Sequence, residues 1–131
     1  HPLVLQKYGI DSKVYVAEIQ LPYIYNFEQA QTLYKPLPKF PAVTRDIALL
    51  CDAELPVGEL DAAIRKGAGT LCEKVQLFDV YQGAQIPEGK KSVAFSVFLR
   101  SQDSTLTDKE IDDTNAKIIK KLEAVGANLR K

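Results

Sequence analysis

Histidine is almost missing from this chain: the only one is His1, at the first position. With no imidazole inside the sequence, a Ser-His-Asp or Cys-His arrangement has no base to work with. The two cysteines, Cys51 and Cys72, are too few for a disulfide framework and match no zinc-ligand spacing. Glycines are scattered singly, with no Gly-x-Gly-x-x-Gly turn and no phosphate-binding loop. No apolar run approaches the ~20 residues that a membrane helix needs, which predicts a soluble chain. Neither sign of charge dominates: Lys+Arg and Asp+Glu both number 17. A bulk electrostatic grip on nucleic acid is therefore excluded, and any such binding has to come from local patterning. Methionine is absent even at the first position, and nothing at the start looks like a signal peptide. The opening His1-Pro2-Leu3 reads as a piece of a longer chain.

What is present is ordinary globular composition. Hydrophobic residues make up 46% and charged residues 26%, which argues against disorder. A length of 131 residues corresponds to one domain, or one domain and a fragment of another. A proline cluster, Lys35-Pro36-Leu37-Pro38-Lys39-Phe40-Pro41, predicts a stiff extended connector, because each proline biases its predecessor toward extended geometry. We place the boundary there, with one segment over residues 1–38 and a domain over 39–131.

The first segment holds a short apolar stretch (Leu3, Val4, Leu5, Tyr8) and a turn around Gly9 to Ser12. A strand is predicted from Val14 to Leu21, and a weakly helical piece from Ile24 to about Thr32. Beyond the connector the pattern is cleaner. Val43 to Cys51 is a strand, and Pro56 to Lys66 a helix with the stripe Val57, Leu60, Ala63, Ile64 and with Gly67 and Gly69 at its end. Leu71 to Tyr81 is a second strand, followed by a turn-rich link from Gly83 to Gly89. From Lys91 to Arg100, Val93, Phe95, Val97 and Leu99 alternate with smaller residues, the strongest strand signal in the chain. A helix from Thr107 to about Val125 opens with a Thr107/Glu110 capping box and carries Ile111, Thr114, Ile118, Leu122 and Val125 on one side. Ala127 to Arg130 forms a short last strand.

The order β-α-β-β-α-β leaves two helices with apolar stripes to bury. A four-stranded antiparallel sheet with both helices on one face buries them. The expected fold is thus α+β, a ferredoxin-like sandwich with strand order 4-1-3-2, preceded by a strand/helix remnant of another domain.

The face without helices is the candidate site. Alternation places Thr44, Asp46, Ala48 and Leu50 of the first strand on it. It also places there Gln76, Phe78 and Val80 of the second, whose Val75 and Leu77 go to the core. On the third strand Ser92, Ala94, Ser96 and Phe98 line it, with Arg100 at the end. Thr44, Asp46, Phe78, Ser96, Phe98 and Arg100 are the candidate RNA-binding residues. A flat sheet carrying aromatics and hydrogen-bonding groups holds splayed single-stranded bases in RNA-recognition-motif domains. Two readings stay open for Phe78 and Phe98, stacking surface or ordinary packing. Lys117, Lys120 and Lys121 read as a solvated helix face or as a phosphate-binding strip.

Four runs carry a resemblance. They are residues 35–49, from Lys35 through the prolines to Ala42-Val43-Thr44-Arg45-Asp46-Ile47-Ala48-Leu49; Leu77-Phe78-Asp79-Val80-Tyr81-Gln82-Gly83; Ile86-Pro87-Glu88-Gly89-Lys90-Lys91-Ser92-Val93-Ala94-Phe95-Ser96; and Thr105-Leu106-Thr107-Asp108. In this order they closely resemble the ferredoxin-fold anticodon-binding domain that ends bacterial phenylalanyl-tRNA synthetase β subunits. His1-Pro2 and Val14-Tyr15-Val16-Ala17-Glu18-Ile19 are similar to the end of the catalytic-like domain that precedes it.

The resemblance implies part of a cytoplasmic class II aminoacyl-tRNA synthetase, a ligase of protein biosynthesis assembled as an (αβ)2 heterotetramer with an α subunit. It implies that this part contacts the anticodon region of tRNA(Phe), while ATP and magnesium serve the complete enzyme. No catalytic residue, metal ligand or cofactor site is assigned to the chain itself. The alternative is a ferredoxin-like structural or protein-interaction module without RNA binding. An acylphosphatase-like hydrolase is disfavoured by the acidic loop Cys51-Asp52-Ala53-Glu54, and a metal-carrying domain by the lack of a Cys-x-x-Cys.

Overall fold

The computed structural model describes residues 1–25, 33–34 and 36–130. The chain forms two compact units, His1–Lys35 and Pro36–Lys131. In the first, α1 runs Pro2–Lys7, with the His1 imidazole accepting from the Leu3 N–H at 3.3 Å, and α2 runs Leu21–Tyr25. The predicted strand at Val14–Leu21 is not formed: residues 13–20 carry no regular element, and Tyr15 and Val16 are almost wholly exposed. Its apolar alternation changes register between Val16 and Ile19, so neither face of a strand there is continuously apolar. No strand of the described residues pairs with it. The helical piece expected from Ile24 coincides only with the end of α2, and residues 26–32 lie outside the described residues.

The second unit is the expected sandwich. Its elements are β1 (Val43–Asp52), α3 (Val57–Ala68), a 3-10 turn (Gly69–Leu71), β2 (Cys72–Tyr81), β3 (Lys90–Leu99), α4 (Asp108–Ala124) and β4 (Asn128–Leu129). They form one sheet in the order β2-β3-β1-β4, the same as 4-1-3-2, with every pairing antiparallel. The central strand β3 buries Val93, Phe95, Val97 and Leu99 at 0–1% exposure. At about 1.5–3 kcal/mol for each large side chain removed from water, these four anchor the core. Beside them in the sheet stand Ile47, Leu49 and Cys51 of β1, and the core is completed by Leu60, Ala63 and Ile64 of α3 and Ile111, Ile118 and Leu122 of α4.

Local chemistry sets the helix ends. The Thr107 hydroxyl accepts from the Glu110 N–H at 3.4 Å, and the Glu110 carboxylate accepts from the Thr107 N–H at 2.8 Å, completing the capping box. The Thr107 N–H, and with it the Thr107 hydroxyl donating to the same carboxylate oxygen at 2.7 Å, hold the Glu110 carboxyl below its usual pKa. On α3 the expected stop at Gly67 is displaced: the helix continues through Ala68 and ends at Gly69, whose φ of 59° suits glycine. Gly67 is instead a buried crossing point, where a Cβ would stand 2.6 Å from the Ile118 Cα. The absent side chain lets α3 and α4 approach.

Cys51 and Cys72 are both free thiols. They register with Lys91 and Leu99, at opposite ends of β3, roughly 26 Å apart and far beyond the ~7 Å Cα limit for a disulfide. Burial pushes both thiols up from their ordinary pKa.

The two glycines of α3 give substitutions of opposite sign. A methyl group added at Gly58 would meet nothing within 4 Å, so Gly58→Ala should stabilise by about 0.5–1 kcal/mol through helix propensity. Gly67→Ala meets backbone that cannot swing aside and should destabilise by about 1–3 kcal/mol. Urea unfolding midpoints of the two variants check both signs.

Candidate nucleic-acid interface

Residues alternate across a strand, so burying one side of β3 turns Ser92, Ala94, Ser96 and Phe98 to the other. Pairing carries the same parity to the neighbours: Thr44, Asp46, Ala48 and Leu50 stand beside Phe98, Ser96, Ala94 and Ser92. On the far side Lys74 and Gln76 stand beside Phe98 and Ser96. No helix of this unit covers this outer face, and its middle is floored by the small side chains Ala48 and Ala94.

Of the six sequence-predicted residues, four come together. Phe98 is half-buried, with Thr44 beside it in β1. Asp46 and Ser96 are cross-strand partners joined by a hydrogen bond in which the Ser96 hydroxyl donates at 2.6 Å. This bond turns the serine's hydrogen toward the carboxylate and leaves further oxygen lone pairs of Asp46 open to donors on a base edge.

Phe78 sits apart from that group. It is the extra residue of a β-bulge between Leu77 and Asp79, and it is 56% exposed. The bulge also corrects the parity beyond it. Val80, expected on the outer face, registers with Val93 on the helix side, while Asp79 and Tyr81 register with the outer residues Ala94 and Ser92. One inserted residue moves every later side chain to the opposite face. Leu77, expected in the core, has the helix-side register but is 43% exposed, because β2 is an edge strand and only its Val75 is buried.

Arg100 lies just past β3 and is already engaged. Its guanidinium donates to Glu73 Oε2 at 2.9 Å and to the Phe40 carbonyl, while its own N–H bonds the Leu71 carbonyl at 2.8 Å. It thereby ties the connector to the start of β2, in the wall of a cleft of about 500 Å³ shared with Lys39, Thr70 and Ser101.

Sequence reasoning missed the cation that stands at the aromatic. The Lys74 ammonium lies 5.4 Å from the Phe98 ring centroid and donates to Gln76 Oε1 at 2.8 Å. The signal was present, since Lys74 is two residues before Gln76 and shares its face, but the first bulge of β2, at Glu73, lies beside it. Among the described residues Lys74 has no carboxylate partner.

Comparison with known proteins follows the same outline. The family model for the ferredoxin-fold anticodon binding domain matches residues 38–130. The chain is 50% identical over 131 residues to the phenylalanine–tRNA ligase beta subunit of Clostridium tetani, covering 99% of this chain and 17% of that protein. It is 45% identical over 131 residues to the Clostridium acetobutylicum protein of the same name, covering 99% and 16%. The Bacillus subtilis protein of that name is 40% identical over 123 residues, 94% of this chain and 15% of the relative. The chain thus spans about one-sixth of the length of the curated relatives it matches.

The two cations near Phe98 should separate by stability. Arg100→Ala strips partners from Glu73 and the Phe40 carbonyl and should lower unfolding stability by about 1–2 kcal/mol. Lys74→Ala removes only an exposed contact and should stay within about 0.5 kcal/mol. Denaturant titration of both variants tests the assignment; equal effects would contradict it.

Proposed function

The chain belongs to the ferredoxin-fold anticodon-binding domain family, and from that premise we propose that its outer sheet face binds the anticodon region of tRNA(Phe). The observation that carries this is the grouping on one open face of an aromatic ring, a cation without a carboxylate partner among the described residues, and a carboxylate-hydroxyl pair: Phe98, Lys74 and Asp46–Ser96. In this reading Phe98 stacks a splayed base, Lys74 meets a phosphate, and Asp46 accepts from the edge of a base. Thr44 adds a hydroxyl beside the ring, Phe78 offers a second aromatic at the sheet edge, and Arg100 acts first on the connector and only then on RNA.

The relatives' shared name supports the wider setting. The chain is read as the end of a phenylalanine–tRNA ligase β subunit that aids ATP-dependent charging of tRNA(Phe) in the cytoplasm, with an α subunit in an (αβ)2 assembly. Residues 1–38 are read as the end of the catalytic-like domain and its connector, and 39–131 as the anticodon-binding domain. ATP and magnesium belong, in this reading, to the rest of the enzyme. The described residues bring together no three His, Cys, Asp or Glu side chains able to hold a metal. Among those residues no helix is long and apolar enough to cross a membrane.

A second reading, a protein-interaction module, is favoured by one observation. Leu77, Phe78 and Val80 on the edge strand β2 are each 43–56% exposed, an apolar edge of the kind that pairs with other chains.

Substitution on the two faces tests the placement of the interface on the sheet. Base-aromatic stacking is worth ~1–3 kcal/mol per base, so Phe98→Ala should weaken tRNA(Phe) binding at least about fivefold while the fold is kept. Replacing Lys117, Lys120 and Lys121 of α4 together by Gln should matter less. Filter binding or fluorescence titration gives the ranking. A silent Phe98→Ala with dominant helix lysines would move the interface to the helices.

A further inference from the structure

One edge of the sheet is β2; the other, along β1, is only half closed. The two residues of β4 pair with Leu49 and Leu50, and just past them the Arg130 N–H reaches the Ala48 carbonyl at 2.8 Å. Among the described residues no strand stands beside residues 44–47 on that side. In an antiparallel ladder every second residue turns its N–H and C=O to the same flank. The Ala48 carbonyl points to the β4 flank, so the main-chain groups of Asp46 and Thr44 point there too. A row of donors and acceptors at this spacing is a template for a further strand.

Two side chains beside this edge lack partners as well. Arg45 registers with the fully buried Val97, so it stands on the helix side of the sheet, away from the outer face. It is exposed and has no carboxylate partner among the described residues. With Asp46 and Ile47 of its own strand it lines a cleft of about 170 Å³, completed by Asn115 and Ile119 of α4 and Leu129 of β4. Asn115 and Ile119 are one helical turn apart and share a side of α4. Asn115 is half-buried, and its Oδ1 is buried without a hydrogen-bond donor. Such an oxygen is costly, and a ligand that brings an N–H or O–H recovers the loss. A strand edge, one cation and an apolar lining of Ile47, Ile119 and Leu129 suit an extended peptide; a nucleic-acid backbone would ask for several cations.

We propose that the open edge of β1 takes an extended segment of a partner polypeptide as an added strand, with an acidic side chain of that segment bound by Arg45 and a donor beside it satisfying Asn115 Oδ1. The added strand continues the line of β4, and its alternate side chains face the cleft. Its carboxylate meets the guanidinium as a charge-assisted pair, while Ile47, Ile119 and Leu129 receive the apolar residues on either side. This inference does not rest on RNA binding, because Arg45 and Asn115 lie on the opposite side of the sheet from Phe98 and Lys74.

The test uses the 131-residue chain and the end-blocked peptide Thr-Val-Thr-Glu-Thr-Val-Thr, whose Val, Glu and Val share one side when extended. Followed by amide resonances at millimolar peptide, binding should shift Thr44, Asp46, Asn115 and Ile119. Arg45→Gln in the chain, or Glu→Gln in the peptide, should each weaken binding about tenfold. Both changes together should cost little more than either alone, since they break the same pair. Asn115→Leu should raise the urea unfolding midpoint, because it removes an orphaned oxygen, and yet weaken the peptide about threefold. N-methylation of one alternate set of peptide amides should abolish binding, and of the other set should not, as strand pairing requires. No shift at millimolar peptide, or binding indifferent to Arg45→Gln, would overturn the proposal. Shifts at Leu77 and Val80 instead would put the added strand on the β2 edge and overturn it too. So would weaker hairpin-RNA binding by Arg45→Gln with the peptide unaffected, which would give Arg45 to RNA.

Discussion

Because side chains alternate along a strand, the dry side of β3 dictates the open one. Val93, Phe95, Val97 and Leu99 sink between the sheet and the two helices, and no rotation of the strand can bury Phe98 or Ser96 with them. The antiparallel partners inherit the same parity, which lines up Thr44 and Asp46 on one flank and Lys74 and Gln76 on the other. The candidate interface is therefore a by-product of core packing. Its groups are rigid because they stand on paired strands whose reverse sides are anchored by the largest buried residues of the unit.

On a chain with no net charge, local pairing decides which cations remain available to a ligand. Arg65 is taken by Asp61, Lys90 by Asp52 and Arg100 by Glu73. Lys91, although charged, is nearly buried and donates to the Ala53 carbonyl at 2.8 Å. Such pairs add little stability at an exposed surface, but they remove charge from the local field. Among the described residues, Lys74 on the outer face keeps no carboxylate partner and bonds the Gln76 amide instead. This pattern favours a few positioned phosphate contacts over a broad electrostatic grip, and a shallow salt dependence follows from it.

Much of this was legible beforehand, and what was not has physical causes. The alternation from Val93 to Leu99 and the Thr107/Glu110 capping box are local signals, and both elements form where they predict. Strand order followed from the need of two amphipathic helices for one shared face. The fate of Val80 was hidden because a bulge is a one-residue insertion that periodicity cannot detect. The role of Gly67 was hidden because a helix crossing is a contact between residues far apart in sequence. Arg100 looked free because its partners, Glu73 and the Phe40 carbonyl, lie on other elements. The end of the chain was hard to read because β4 is only two residues long and pairs with β1 alone. The missing strand at Val14–Leu21 shows the converse, an apolar run with neither steady alternation nor a partner.

The central claim is that the helix-free face, and not the helix face, meets RNA. Backbone amide resonances of the chain, followed during titration with a hairpin RNA, test it most directly. The account predicts that the shifting resonances cluster at Thr44, Asp46, Gln76, Ser96 and Phe98, while those of α3 and α4 stay in place. Shifts concentrated at Lys66, Lys117 and Lys121, with the outer strand residues unmoved, would contradict it.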